Sequence, residues 1–213
     1  MKIIEHRAGS TSIYALNIKD ELIFNEESYA REWCSLDDFE TYKAIVNSRK
    51  RREFLAVRFL LWRIGLSRAI FYDQRIPKLR CGQYVSISHS GDWVVVAVNP
   101  EHVVGVDVEL IQDKASGVYH RFSHVKEKEY FPKEDFTAST LLWSFKETIY
   151  KLIWIEGLNF KEQIRVKKDA EDKFKAEILT EHIIFEVLLD YKIVGDYVLT
   201  FNLGDVQRQQ QCV

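Results

Sequence analysis

From Val103 to Leu110 the chain alternates, so that one face of a strand would carry Val104, Val106, Val108 and Leu110. The other face would carry Val103, Gly105, Asp107 and Glu109, with two like charges side by side. Either water covers that face or something positive sits on it. The same alternation predicts a strand over 11–18, a hairpin of 84–90 and 93–98 across Gly91-Asp92, and a second hairpin of 183–194 and 197–203. Helical periodicity predicts a helix over 35–46, with Ser35 as N-cap and Asp37 and Asp38 in its first turn. A long helix follows over 49–66, with Phe54, Leu55, Leu61 and Trp62 in the core and an end near Gly65. Another runs over 139–157, where Leu142, Phe145, Ile149 and Ile153 make one buried face. The closing QRQQQCV is expected to fray.

Two stretches echo one another. SGDWVVVAVN (90–99) and VGDYVLTFNL (194–203) share Gly-Asp-aromatic-Val, and their glycines lie 104 residues apart (195 − 91). Gly-Asp alone is a favoured hairpin turn. With a long helix ahead of each hairpin, however, the echo predicts a duplicated α+β unit. The halves would be 1–101 and 102–213, with a site where they meet.

Composition narrows the class. The chain is 46% hydrophobic and 29% charged, as an ordinary globular protein is. A net charge of −2 argues against a dedicated nucleic-acid binder, although 48–63 is rich in Arg. Cys34, Cys81 and Cys212 are scattered and form no CxxC, which suits free thiols in a reducing compartment. No apolar run approaches the ~20 residues of a membrane span, and MKIIEHRAGS lacks the apolar core of a signal peptide. A cytoplasmic protein is expected, with no membrane partner.

The helix over 139–157 bears on the paired carboxylates. Beside its apolar face it carries Trp143, Glu147, Tyr150, Lys151 and Trp154, with Lys146 adjacent. Glu147 and Lys151 alone would be a surface i, i+4 ion pair worth a few tenths of a kcal/mol. Brought to Asp107 and Glu109, Glu147 would make a third carboxylate from a second element, and a cation would be needed to join them. Hard oxygen donors without His or Cys suit Mg²⁺, which completes its shell with water and phosphate oxygens. That favours phosphate chemistry, with Lys146, the Arg-rich helix and RIPKLR (75–80) as basic candidates. In SISHS (86–90), Ser88 and His89 are neighbours on a strand and point to opposite faces, a poor catalytic dyad. Their hydroxyl and imidazole suit phosphate contacts better.

Taken in order, SHS (88–90), GVDVE (105–109) and WSFKETIYK (143–151) resemble the signature of the Sfp-type 4′-phosphopantetheinyl transferases. FLAVR (54–58) and RFS (121–123) resemble two further segments of that family, and Glu147 lies 40 residues beyond Asp107 (147 − 107), as its spacing requires. The resemblance implies transfer of 4′-phosphopantetheine from coenzyme A to a serine of an apo acyl carrier protein, or of a peptidyl or aryl carrier domain, with release of 3′,5′-ADP. It implies an α+β fold of two similar α/β subdomains in one monomeric chain, with coenzyme A at their interface. By the same resemblance Asp107, Glu109 and Glu147 would hold Mg²⁺, and Glu147 would also take the serine proton. Lys151 would stand near the pyrophosphate, and Lys146 would help to hold it. Ser88 and His89 would contact coenzyme A, as would Arg58 and Arg49.

Two departures touch the nucleotide. Arg75-Ile76-Pro77 stands where many members have Gly-Lys-Pro, so Arg75 would supply the charge of the absent lysine. Val57 stands where Gly is usual. The stretch 112–138 mixes aromatic residues with both charges, suiting a carrier contact or an ordinary amphipathic helix and loop equally. Two other readings stay open. One is a relative that binds carrier or coenzyme A without turnover. The other is a different Mg²⁺-dependent phosphoryl-transfer enzyme such as a nuclease.

Overall fold

A computed structural model describes residues 3–19, 27–66, 70–73, 76–169, 173–180 and 183–210. The chain divides into two compact units that part between His102 and Val103.

The first unit contains β1 (Ile3–Ala8), β2 (Thr11–Asn17), α1 (Glu27–Trp33), α2 (Leu36–Ala44), α3 (Ser48–Arg63), β3 (Ile70–Asp73), β4 (Ile76–Leu79), β5 (Tyr84–Ser90) and β6 (Trp93–Asn99). Its antiparallel sheet has the order β1-β2-β6-β5-β4-β3. The Ser35 hydroxyl accepts from the Asp38 backbone N–H at 3.2 Å, so α2 starts where its cap places it. Leu55, Ala56, Leu60 and Leu61 of α3 share a core with Leu16, Val94 and Val96 of the sheet. Trp62 departs from expectation. It stands at the edge of that stripe, 38% exposed, against the rings of Trp33 and Phe59.

The second unit contains β7 (Val106–Leu110), α4 (Asp113–Phe122), a 3₁₀ turn (Val125–Glu127), α5 (Phe136–Ile153), α6 (Phe160–Gln163), β8 (Ile164–Lys168), β9 (Phe174–Leu179), β10 (Ile183–Val194) and β11 (Tyr197–Gln210). The sheet order is β7-β11-β10-β9-β8. Asp135 caps α5 by accepting from the Ala138 N–H at 3.0 Å, so the helix begins three residues before its periodic stretch. It ends at Trp154, which is left-handed at φ 49°, rather than at Gly157. The expected fraying of the tail is not found through Gln210, which pairs with Ile183. Residues 211–213, Cys212 among them, lie outside the described residues.

The duplication is visible in the topology. Without the edge strand β1, the first sheet reads β2-β6-β5-β4-β3 and the second β7-β11-β10-β9-β8. In each, one strand is followed by helices and then four strands, and the last of these pairs with the first. The closing hairpins turn at Gly91 and Gly195, at φ 53° and 57°, a region that glycine enters without cost. The fold is α+β with two similar halves, as expected. Among the described residues no helix is long and apolar enough to cross a membrane.

Candidate active site

The paired carboxylates lie on β7, which among the described residues is an edge strand paired with β11 alone, with Asp107 opposite Thr200. Helix α5 crosses both strands and covers the polar face of β7. Gly105 permits this approach. A Cβ there would stand 2.4 Å from the Thr148 carbonyl oxygen, so any side chain would push the helix off the strand. Asp107 is in consequence only 3% exposed, as deeply placed as Val108 beside it.

What sits on that face is Lys151. Its Nζ donates to Asp107 Oδ1 at 2.8 Å and to the Val106 carbonyl at 3.1 Å. The surface i, i+4 pair between Lys151 and Glu147 is thus replaced by an ion pair across two elements. Ser144 Oγ donates to Asp107 Oδ2 at 2.7 Å. Its hydroxyl lies 2.9 Å from that of Thr200, which lies 2.6 Å from that of Thr148, all three being fully buried. Trp143 Nε1 donates to Glu109 Oε1 at 3.1 Å. Residues 143, 144 and 151 of α5 therefore hold the two strand carboxylates between them.

Glu147, on the same helix, is half-buried, and its pKa is pushed up to about 7. Burial is the largest cause. Asp107 repels its charge, Lys151 works the other way, and Glu109 adds a smaller repulsion. Among the described residues no three His, Cys, Asp or Glu side chains form a ready-made metal cage. Both oxygens of Asp107 are engaged by Lys151 and Ser144. The donor set nonetheless fits a hard dication that needs only one or two protein carboxylates beside water and phosphate. Glu109 and Glu147 can supply these.

A cavity of about 670 Å³ adjoins these carboxylates, with Glu109 and Glu147 in its lining. Its apolar wall includes Ala115, Val118, Phe122, Trp143, Leu158 and Phe160. Trp143 lies edge-on to Phe122 and tilted against Phe160, at ring separations of 5.2 and 5.8 Å.

Lys146 overturns its expected role at the phosphates. It is fully buried, and its Nζ donates to the carbonyls of Phe122 (2.6 Å), Phe160 (2.8 Å) and Ile164 (3.1 Å) and to Glu127 Oε2 (2.8 Å). No N–H is left over for a phosphate. Burial draws its pKa down to about 8, against the pull of Glu127. Glu127 was missed in the sequence. It accepts from the His124 and Val166 backbone N–H groups as well, and the spacing His124-x-x-Glu127 of a capping box was the available signal.

The first unit holds the other expected contacts. Ser88 is buried and His89 half-exposed, on opposite faces as alternation requires. His89 Nδ1 lies 3.5 Å from Glu53 Oε2, and Arg49 Nε donates to Glu53 Oε1 at 2.9 Å. A second nitrogen of Arg49 donates to the Gly91 carbonyl at 3.0 Å. Glu53, another residue missed, thus ties Arg49 to His89. Arg58 is corrected: it is paired at 2.7 Å with the buried Asp38, lies over the Phe54 ring and is only 11% exposed, so it neutralises a buried carboxylate. Arg75 lies outside the described residues.

Residues 103–202 match the family model described as the 4′-phosphopantetheinyl transferase superfamily. The chain is 29% identical over 112 residues to the 4′-phosphopantetheinyl transferase AcpT of Salmonella typhimurium, covering 48% of this chain and 58% of that protein. It is 30% identical over 90 residues to the L-aminoadipate-semialdehyde dehydrogenase-phosphopantetheinyl transferase of Mus musculus, covering 37% of this chain and 29% of that one. The match therefore spans little more than half of the bacterial relative and under a third of the mouse one.

Proposed function

We propose that this chain, which belongs to the 4′-phosphopantetheinyl transferase superfamily, moves 4′-phosphopantetheine from coenzyme A to a serine of an apo carrier protein. The observation that carries the reading is Glu147, a carboxyl poised near neutral pH between two fixed carboxylates and an open cavity. The serine oxygen forms a bond to the pantetheine-bearing phosphorus, and the bond from that phosphorus to the bridging oxygen breaks, releasing 3′,5′-ADP. Glu147 takes the serine proton, for which a pKa close to the working pH is well matched. Asp107, Glu109 and Glu147 would hold Mg²⁺, which when bound offsets the charge that gathers on the departing phosphate. Lys151, held at Asp107, keeps a positive charge beside the reacting phosphates. Trp143 and Ser144 keep Glu109 and Asp107 in register.

The carrier would approach over the 112–138 segment. Exposed Val125, Tyr130 and Phe136 stand there among charges of both signs, Lys128 and Lys133 beside Glu129 and Glu134, so the apolar side chains would make the contact and the charges would orient it. The test is intact-mass spectrometry of a panel of apo carrier proteins after incubation with the chain, coenzyme A and Mg²⁺. A phosphopantetheine increment that requires Mg²⁺ and disappears with Glu147→Gln is expected. Modification that persists undiminished in that variant would remove Glu147 from the mechanism, and a panel left wholly unmodified would overturn the transfer.

A further inference from the structure

The closing hairpins of the two halves align in sequence on their turn glycines, and the alignment singles out β11. Five residues after its glycine the first half has Val96 (96 − 91), whereas the second has Thr200 (200 − 195). Seven residues after, the pair is Val98 (98 − 91) and Asn202 (202 − 195). All four are buried. Valine therefore satisfies the fold at both places, and the polar residues of β11 need another reason. Burying a hydroxyl or an amide is unfavourable unless it is hydrogen-bonded. Both side chains serve the strand of the paired carboxylates. Asn202 Oδ1 accepts from the Gly105 N–H at 2.9 Å, and Thr200 stands opposite Asp107.

Thr200 reaches Asp107 through one intermediary. Ser144 Oγ donates to Asp107 Oδ2 at 2.7 Å and lies 2.9 Å from Thr200 Oγ1, which lies 2.6 Å from Thr148 Oγ1. Thr148 also stands 3.3 Å from the Thr200 carbonyl, the longer of these two contacts. Counting protons gives the chain a direction, because each hydroxyl has only one to donate. Ser144 gives its proton to Asp107 and so accepts from Thr200. Thr200, its own proton used, accepts from Thr148. The three O–H groups then run head to tail toward the carboxylate, and links in such a chain strengthen one another. A serine inside a helix otherwise turns its hydroxyl back to the carbonyl of the preceding turn. Thr200 is the donor that keeps Ser144 turned to the strand.

We infer that Thr200 is a positioning residue of the active site, fixing the plane of the Asp107 carboxylate through Ser144. Lys151 holds one oxygen of Asp107 and Ser144 the other, so a Ser144 turned back to its helix would leave the group free to rotate about a single contact. The inference rests on the transferase reading, in which Asp107 helps to hold Mg²⁺. Outer partners that orient a metal ligand are worth about 10- to 100-fold in affinity or activity. Thr200 stands one group further out, which sets the expected effect near the lower figure. It is fully buried, so the effect falls on metal and turnover rather than on coenzyme A binding.

Thr200→Val and Thr200→Ser, compared with the wild type, test this. Thr200→Val keeps the shape of the side chain and installs the residue type that the first half already carries at this place, so its thermal midpoint should stay near that of the wild type. Its Mn²⁺ affinity, read as free Mn²⁺ by electron paramagnetic resonance with coenzyme A present, should fall about tenfold. The kcat of carrier modification at subsaturating Mg²⁺ should fall by a similar factor, with KM for coenzyme A unchanged. Thr200→Ser retains the hydroxyl and should restore both. If the wild type binds Mn²⁺ and modifies carriers, yet Thr200→Val does so equally well, the positioning role falls and the transferase reading stands. A loss that Thr200→Ser does not restore, or one that follows a lowered thermal midpoint, would show that Thr200 only packs and would likewise overturn the inference. If the wild type neither binds Mn²⁺ nor modifies any carrier, both readings fall together.

Discussion

Lys151 Nζ stands 2.8 Å from Asp107 Oδ1, joining the last full turn of α5 to the middle of β7. Both side chains are largely shielded, at 18% and 5% exposure, so the pair is less screened than a surface one. Lys151 ties α5 to the strand of the paired carboxylates and places a positive charge beside them.

Removing it separates the two roles. Lys151→Met should lower stability by about 3 kcal/mol, the scale for leaving one member of a buried pair unpaired. Asp107→Asn in the same chain should recover part of that loss, with a coupling on the order of 1–3 kcal/mol in a denaturant double-mutant cycle. Transfer should stay abolished in the double variant. Additive losses of stability would show that the two groups do not interact as the distance requires.

Much of this was legible before the structure. The GVDVE alternation placed Asp107 and Glu109 on one face, and the periodicity of α5 placed Glu147 and Lys151 together on its flank. The echo around Gly91 and Gly195 anticipated two sheets of one topology. What failed did so because it depended on partners far away in sequence. Lys146 is next to Glu147 and looks like a phosphate ligand, but its side chain leaves the site for Glu127, 19 residues earlier. Arg58 likewise finds Asp38 across two helices. A residue type and a spacing give the face of a helix, whereas the tertiary neighbour decides whether a charge is free.

The buried Lys146–Glu127 pair makes its own prediction. Lys146→Met leaves Glu127 charged in the interior and should cost about 3–5 kcal/mol in chemical denaturation. Because Lys146 also holds the carbonyls of Phe122 and Phe160, which flank Trp143, tryptophan fluorescence should shift in the folded variant. An unshifted spectrum with wild-type stability would show that the ammonium is not what fixes these walls.

Gly105 offers a purely steric test. The Cβ of Gly105→Ala would meet the Thr148 carbonyl oxygen at 2.4 Å, a backbone atom that cannot turn aside. Helix and strand must separate by a few tenths of an ångström or more, at a cost of about 1–3 kcal/mol for overpacking. The Ser144–Asp107 and Lys151–Asp107 contacts would lengthen with them. Transfer should therefore fall more than stability does, as seen by comparing turnover of the folded variant with its thermal midpoint.

Glu147 links the site to pH. Its carboxyl titrates at about 7 when folded against an ordinary value of 4.5, because burial and Asp107 disfavour the charge. Between those values the folded chain holds a proton that the unfolded chain has released, so stability must fall as pH rises from about 4.5 to about 7. The loss is complete above the folded value. Glu147→Gln cannot release that proton and should lack this part of the decline, so the wild-type-minus-variant difference in thermal midpoint isolates it. A dication held by Asp107, Glu109 and Glu147 favours the charged form, and adding Mg²⁺ should flatten the wild-type slope toward that of the variant. Thermal unfolding from pH 4.5 to 7.5, with and without Mg²⁺, reads both effects without any carrier or coenzyme A. Parallel curves for wild type and variant would show that Glu147 ionises in the fold as it does in water, and would remove the physical basis for its service as a base near neutral pH.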